Sequence, residues 1–140
     1  MLQLPERGLI ISHCYVWFLD FENGYEVSSR PHPVVIISVG AQRVLVLAIT
    51  HSPPQSDNAA LEIPDAVKAE AGLDAHRQWI VVNEANAFTW PGPDLRNVPG
   101  SHPPSPVYGT MPIDFLTAVI SAYVARRKAD PTGAREIERP

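Results

Sequence analysis

The sequence predicts a mainly β fold of the α+β class, in which a small, strongly bent antiparallel sheet packs against a C-terminal helix. Several short segments are rich in β-branched and aromatic residues and are separated by turn-forming residues, which is typical of short strands. Only one long segment, near the C-terminal end, repeats apolar residues at helical spacing. Fifteen prolines lie in short clusters along the 140 residues and favour many turns over long helices.

The N-terminal third predicts one strand followed by a hairpin. Leu9–Leu19 has the composition of a first strand, and residues 20–33 have that of a loop. The next two runs, VVIISV and VLVLAIT, are almost continuously apolar, which is typical of strands buried on both faces. The turn Gly40–Arg43 joins them and is too short for a parallel crossover, so an antiparallel hairpin is expected.

The middle of the chain predicts two more strands, a short helix and a long loop. Residues 60–63 (ALEI) suit a short strand, and Pro64 and Gly72 bracket a short helix. Arg77–Phe88 begins as a buried strand and becomes polar halfway along. Residues 90–109 are expected to form a long loop, of a kind that is usually functional or disordered.

Pro112–Lys128 is predicted to be the C-terminal helix. Its apolar residues recur at three- and four-residue steps and would form one apolar face: Ile113, Leu116, Val119, Ile120, Tyr123 and Val124. Asp114 suits the positive N-terminal end of this helix, and basic residues 126–128 suit its C-terminal end. Residues 1–128 are therefore expected to form one compact domain, followed by a mobile tail at residues 129–140.

Composition and charge limit the classes of function. Cys14 is the only cysteine, so no internal disulfide is expected, and the N-terminus lacks the features of a signal peptide. The longest apolar runs are too short to cross a bilayer, so a soluble, cytoplasmic protein without membrane contact is expected. Residues 1–125 contain six Lys/Arg and twelve Asp/Glu, which gives this part of the chain a net charge of −6. That charge argues against nonspecific binding of duplex DNA, but it leaves room for a small single-stranded site.

Generic catalytic and metal-binding motifs are absent from the sequence. It has no glycine-rich phosphate loop and no CxxC, HExxH or GxSxG. Its five histidines lack the spacing of metal ligands, so neither a metal nor another cofactor is expected. A metal-dependent hydrolase built from these scattered histidines and carboxylates stays open as an alternative.

One arrangement of residues predicts chemistry at an end of the hairpin. Arg30 precedes its first strand and Thr50 ends its second, so the two residues are expected at the same end of the sheet. Glu26, or Asp20, can reach that end from the preceding loop. In the alternative interpretation, Arg30 pairs with Glu26 inside the loop and Thr50 is only a strand residue.

An arginine, a hydroxyl and a carboxylate in one groove suit the cleavage of RNA through its own 2′-oxygen. That oxygen must lose a proton and attack the neighbouring phosphorus. The negatively charged phosphorane that results is stabilised by a planar cation with several donors, which Arg30 supplies. Thr50 can hydrogen-bond a non-bridging phosphate oxygen, and this chemistry requires no metal.

Six further residues are candidates for substrate binding: His51, Asn83, Glu84, Phe88, Trp90 and Arg96. His51 follows Thr50 directly and could protonate the leaving 5′-oxygen, although strand alternation points it away from the side chain of Thr50. Asn83 and Glu84 lie at the end of a predicted buried strand. They can contact a base edge or, alternatively, form the hydrogen bonds of a turn.

The other three candidates lie in or beside the long loop. Phe88 and Trp90 have aromatic faces on which bases can stack, and Arg96 can hold a phosphate. The alternative is structural, because the segment Trp90-Pro91-Gly92-Pro93 can also be a turn held by an aromatic side chain.

These residues lie in a pattern that resembles the PemK/MazF family of growth-inhibitor toxins. In that family a glycine–glutamate loop leads to an Arg-Pro, two strands follow, and a threonine ends the second. The corresponding residues here are Gly24 and Glu26, Arg30-Pro31, VVIIS, and VLVLAIT ending at Thr50. The stretch RQWIVVNEANAFTWPGPDLR resembles the later part of one branch of PemK-like proteins, and the resemblance runs from about Gly8 to Leu95.

The resemblance implies both a fold and an activity. The fold would be a small SH3-like barrel with a C-terminal helix, assembled as a homodimer. The activity would be metal-independent, sequence-selective cleavage of single-stranded RNA to a 2′,3′-cyclic phosphate and a 5′-hydroxyl, with an antitoxin protein as the inhibitory partner. Arg30 matches the catalytic arginine of the family, Thr50 its catalytic threonine, and Glu26 its loop glutamate.

The chain also departs from the family pattern. The spacing from Glu26 to Arg30 is one residue shorter than usual, and Ser28-Ser29 replace the glycines that commonly precede the arginine. These departures keep a second function open: a binding module on the same barrel that is inactive as a nuclease and inhibits a protein target, as the CcdB toxins do.

Overall fold

The computed structural model describes residues 3–24, 30–56, 59–129 and 135–140. In these ranges the chain forms nine strands and three helices. In chain order they are β1 (Leu9–His13), α1 (Phe18–Glu22), β2 (His32–Gly40), β3 (Arg43–Thr50), β4 (Ala60–Glu62), α2 (Asp65–Glu70), β5 (Trp79–Val81), β6 (Glu84–Thr89), β7 (Leu95–Arg96), β8 (Val107–Thr110), α3 (Ile113–Ala129) and β9 (Arg135–Glu138).

The strands form a single, mostly antiparallel sheet, which confirms the predicted mainly β fold. Its hydrogen-bonded path runs β4-β5-β3-β2-β1-β7, while β6 joins at β3, β8 joins at β1 and β9 joins at β6. The path does not close on itself within the described ranges, so the sheet is open, whereas the family resemblance implied a barrel. The pair β6–β9 is parallel, which also departs from the all-antiparallel prediction.

The predicted hairpin is confirmed as β2–β3. Ala41 and Gln42 form a two-residue turn in the left-handed region, with φ of 44° and 68°, as expected for a tight hairpin turn. Val34 pairs with Ala48, and the same register carried outward sets His32 opposite Thr50. The start of β2 and the end of β3 therefore meet at one end of the sheet.

Both faces of the hairpin are buried, which explains its continuous apolar sequence. One face packs against α2 and α3 in a core that includes Val35, Ile37, Leu47 and Ile49. The opposite face packs in a second core that includes Val34, Ile36, Val46, Ala48, Tyr15 and Phe88. Because alternate residues point to opposite faces of a strand, a strand between two cores needs apolar residues at every position.

The first strand is shorter than predicted. It ends at His13, and α1 occupies part of the segment that was expected to continue as strand and then loop. The buried side chain of Asn86 accepts a hydrogen bond from the N–H of Val16 and donates one to its carbonyl, which occupies backbone groups that a strand neighbour would bind. Tyr15 lies beyond the end of β1 and is buried in the core. Its side chain is therefore explained by burial and does not indicate a strand.

The C-terminal helix is confirmed within a residue or two of its predicted bounds. Leu116, Val119 and Tyr123 are buried along its inner face. Ile113 and Val124, which the periodicity assigned to the same face, are 71% and 39% exposed. None of the helices in the described part of the chain has the length and apolar content that a membrane span requires.

Residues 135–140, which the sequence assigned to a mobile tail, include a strand that packs on the sheet. Strand β9 pairs in parallel with β6, and Ile137 is only 2% exposed. The Tyr123 hydroxyl donates to Glu136 at 2.9 Å, and Arg139 forms an ion pair with Asp94 at 3.4 Å. Ile137 and these polar contacts hold residues 135–140 against the sheet, although the composition of the segment predicted no packing. The rest of the expected tail, residues 130–134, lies outside the described residues.

Candidate functional site

An open groove of about 880 Å³ lies at the end of the sheet where β2 begins and β3 ends. Three of the predicted site residues line it: Thr50, Asn83 and Glu84. The remaining lining residues that carry chemistry are Trp17, Asp20, His32, Ser52, Gln55 and Ser56. The groove therefore brings together side chains from the segment after β1, from both hairpin strands and from the start of β6.

Thr50 presents an oriented hydroxyl to this groove. It is half-buried at the last position of β3, where it pairs with Trp79 of β5. Its Oγ1 accepts a hydrogen bond from the N–H of Ser52 at 3.1 Å. Since the oxygen accepts that bond, the hydroxyl hydrogen is left to donate to a ligand.

A basic side chain, that of Arg30, lies near the groove at the start of β2. Arg30 is exposed and lies two residues before His32, which lines the groove. Burial lowers the pKa of His32, and the charges of Arg30 and His51 lower it further. Arg30 is not among the groove-lining residues, and Glu26 lies outside the described residues.

Glu84 is held in a fixed orientation at the groove. Its Oε1 accepts hydrogen bonds from the Tyr15 hydroxyl at 3.1 Å and from the N–H of Phe18 at 2.9 Å. Burial raises the pKa of this carboxyl, those two hydrogen bonds and the charge of Arg135 oppose the rise, and Asp20 adds to it. The groove thus contains a half-buried acceptor whose protonation is sensitive to its surroundings.

Trp17 is a groove residue that the sequence did not reveal. Its ring lies edge-to-face with the rings of Tyr15 and His32, at centroid distances of 4.9 Å and 5.8 Å. The aromatic and β-branched residues around Trp17 predicted that it lies within a strand. In the structure it lies between β1 and α1, where its side chain lines the groove. Its nearness in sequence to the loop before Arg30 was the one available signal.

His51 follows the last residue of β3 and pairs with Asp74. Its Nε2 lies 3.0 Å from Oδ2 of Asp74, and the N–H of His76 donates to Oδ1 of the same carboxylate at 2.9 Å. Burial works to raise the pKa of Asp74, but the hydrogen bonds from His76 and His51 outweigh it and lower that pKa. His51 is not among the groove-lining residues.

Phe88 does not have the exposure that base stacking requires, and the prediction for it is corrected. It is 1% exposed, pairs with Val44 and stacks on His13 with ring centroids 4.5 Å apart. Thr50 lies six residues further along β3 than Val44, about 20 Å in extended backbone. Its position beside the long loop suggested exposure, but β6 is buried from Ala85 to Phe88, and Phe88 packs in the core with Val44 and Tyr15.

Trp90 and Arg96 also lie outside the groove lining. Trp90 continues beyond β6 beside the hairpin turn, where its N–H donates to the carbonyl of Gln42 and its indole N–H donates to that of Gln3. Arg96 is exposed on β7, and its guanidinium donates to the carbonyls of Pro93 and Leu95 at 2.7 Å and 3.0 Å. These contacts match the structural alternative that the sequence left open for this segment.

Metal-ligating side chains do not cluster in the part of the chain that the structure describes: no group of three or more His, Cys, Asp or Glu is close enough to hold a metal ion. The arrangement in the groove is instead a hydroxyl, an imidazole and two carboxylates beside an aromatic ring, with a guanidinium near the rim. A scan of the sequence against models of protein families finds no match, and no curated protein matches the chain.

Proposed function

We propose that the groove binds single-stranded RNA and that the protein is a metal-independent endoribonuclease, which acts as the growth-inhibiting toxin of a toxin–antitoxin pair. The observation that carries the proposal is that Thr50, His32 and Glu84 line one groove. Arg30 lies close enough that its charge lowers the pKa of His32. The resemblance of Arg30-Pro31 and Thr50 to the PemK/MazF pattern supports it independently.

The proposed reaction is an attack of the RNA chain on itself. A base removes the proton of a ribose 2′-hydroxyl, the 2′-oxygen forms a bond to phosphorus, and the bond to the 5′-oxygen breaks as that oxygen takes a proton from water in the open groove. Arg30 stabilises the charge of the phosphorane, and Thr50 donates to a non-bridging oxygen. Glu26 is the base that the resemblance suggests; His32, whose lowered pKa favours the neutral ring that accepts a proton, is a second candidate.

A homodimer and an inhibitory antitoxin are part of the same proposal. Exposed apolar side chains support an association between copies of the chain: Val39 at the hairpin tip is 39% exposed, as is Val124 of α3. Val39, Leu45 and Val124 line one shallow pocket of about 380 Å³. The antitoxin would inhibit the enzyme by occupying the RNA groove.

A binding module without nuclease activity is the second candidate function. It is favoured by one observation, that Arg30 is not among the residues that line the groove. Such a module would use the groove for RNA or for a protein partner and would leave the phosphodiester intact. It predicts binding without cleavage, whatever the sequence of the RNA.

The two functions are separated by incubating the protein with single-stranded RNAs of mixed sequence in excess chelator. The nuclease proposal expects fragments ending in 2′,3′-cyclic phosphate, a loss of at least about 100-fold in rate for Arg30→Ala, and no such loss for Lys128→Ala, an exposed basic residue that lines neither the groove nor the apolar pocket. Intact RNA with the wild-type protein would favour the binding module. Cleavage by Arg30→Ala at the wild-type rate would refute the mechanism.

A further inference from the structure

We propose that Trp17, Asn83 and Glu84 form a base-binding site that selects guanine in single-stranded RNA. This inference rests on the proposed RNA-binding function and adds the base that the groove recognises. All three side chains line the same groove, beside Thr50 and His32. A nucleotide whose phosphate meets the rim near Arg30 can therefore place its base against them.

Trp17 supplies a surface for stacking. Its indole is half-buried, and its two ring neighbours, Tyr15 and His32, lie at interplanar angles of 63° and 79° to it. Neither neighbour stacks parallel to the indole. A base of any kind can stack on an aromatic ring, so Trp17 gives affinity but not selectivity.

Glu84 supplies the selectivity. A carboxylate only accepts hydrogen bonds, and both bonds from Tyr15 and Phe18 reach Oε1, so they fix the group without using Oε2. Guanine presents two adjacent donors, N1–H and the N2 amino group. Adenine and cytosine place a ring acceptor beside their amino group, and uracil flanks its N3–H with two carbonyl oxygens. A fixed carboxylate therefore fits guanine best among the four bases.

The neighbouring charges agree with this assignment. Asp20 also lines the groove and lies close enough to raise the pKa of Glu84, so this part of the groove repels phosphate and attracts donor groups. Asn83 adds an amide whose NH₂ group can donate to O6 of guanine. Arg30 lies close enough to His32 to lower the pKa of that ring, so a phosphate near the start of β2 would meet the charge of the guanidinium.

The test is binding of 2′-O-methyl oligonucleotides, which cannot be cut because the 2′-oxygen carries no proton. Each oligonucleotide carries one guanine, adenine, cytosine or hypoxanthine in an otherwise uniform run of uracil. For the wild-type protein we expect the guanine oligonucleotide to bind at least about ten-fold more tightly than the adenine and cytosine oligonucleotides. Hypoxanthine, which lacks the N2 amino group, should bind at an intermediate level.

Three variants assign the preference to side chains. Glu84→Gln keeps an oxygen for Tyr15 and Phe18 but loses the charged acceptor, and it should lose the preference for guanine. Trp17→Leu should weaken every oligonucleotide alike. Glu22→Gln, which removes an exposed carboxylate of α1 outside the groove lining, should change nothing.

The outcomes separate this inference from the proposed function. Equal binding of all oligonucleotides by the wild-type protein, or an unchanged preference in Glu84→Gln, would overturn the guanine site even if unmodified RNA is cut. A guanine preference that Glu84→Gln abolishes would support the site even if the protein cuts no RNA, and in that case only the nuclease proposal fails.

Discussion

The side-chain amide of Asn86 makes two hydrogen bonds to the backbone of Val16, a residue 70 positions earlier in the chain. Its Oδ1 accepts from the N–H of Val16 and its Nδ2 donates to the carbonyl, each at 2.9 Å, and both bonds are buried. The clamp fixes the segment that carries Trp17 and the Phe18 N–H to the strand that carries Glu84. The geometry of the groove therefore depends on a residue that does not line it.

Replacing Asn86 by alanine is expected to lower the free energy of unfolding by about 2–4 kcal/mol, because two buried backbone groups lose their partners. Urea denaturation followed by circular dichroism measures the loss. Asn97→Ala, at an exposed position of the long loop, serves as the control and should change the stability by less than about 0.5 kcal/mol. Equal stabilities for the two variants would show that the clamp does not stabilise the fold.

His13 is expected to make the stability depend on pH. Burial is the largest cause that lowers its pKa, from the usual 6.5 to about 4; Asn86 and Asp94 oppose the change, while Arg139 and Arg96 add to it. Between pH 6.5 and 4, His13 is therefore protonated in the unfolded chain but not in the folded protein. Its contribution is complete above pH 6.5 and is lost as the pH falls towards 4, by about 3 kcal/mol in all.

The measurement is the free energy of unfolding of the wild-type protein and of His13→Gln at several values between pH 7.5 and 4.5. The variant should lose less stability on acidification than the wild type. The comparison cancels the contribution of Glu84, whose raised pKa acts in the opposite direction because its folded form holds a proton more tightly. Parallel curves for the two proteins would show that His13 is not the titrating group.

The hairpin turn stores backbone strain that substitution can relieve. Ala41 and Gln42 both adopt positive φ, which costs about 1–2 kcal/mol for each residue that has a β-carbon. Replacing them by Asn-Gly, the preferred pair for such a turn, should stabilise the protein by about 1 kcal/mol or more. A higher urea midpoint at unchanged slope is the expected result; a lower midpoint would contradict the turn geometry.

Two glycines with the same backbone conformation should respond differently to alanine. Gly72 and Gly100 have φ of 75° and 76°, but a β-carbon at Gly72 would lie 2.4 Å from the carbonyl oxygen of Tyr108, while one at Gly100 would meet nothing within 4 Å. Gly100→Ala should cost about 1–2 kcal/mol of stability from conformation alone. Gly72→Ala should cost clearly more, and thermal unfolding of the pair isolates the effect of the close approach.

The hairpin was predictable because its signals are local. Continuous apolar runs indicated burial on both faces, and the two-residue turn fixed the register that brings His32 and Thr50 together. The strand pairing of Ile137 was not predictable, because its burial depends on β6, about fifty positions away, and not on its own polar neighbours. Local composition also could not tell a strand from the buried segment at Tyr15, since both require apolar residues.

The candidate site was predictable only in part for the same reason. Thr50, Asn83 and Glu84 stood out because each is polar at the end of an apolar strand, and they line one groove. Phe88 was misplaced, because β6 is buried from Ala85 to Phe88 although its sequence is partly polar. Trp17 was missed because its position depends on the contact between Asn86 and Val16. These residues are 70 positions apart, so a local sequence pattern cannot predict their contact.

The proposed role of Thr50 in RNA cleavage is tested by the rate at which Thr50→Val cuts single-stranded RNA in excess chelator. Valine keeps the shape and strand preference of threonine and removes only the hydroxyl, and Thr50→Ser restores the hydroxyl. We expect Thr50→Val to cut at least about 100-fold more slowly than the wild type and Thr50→Ser to recover much of the rate. Cleavage by Thr50→Val at the wild-type rate would show that the chemistry takes place elsewhere.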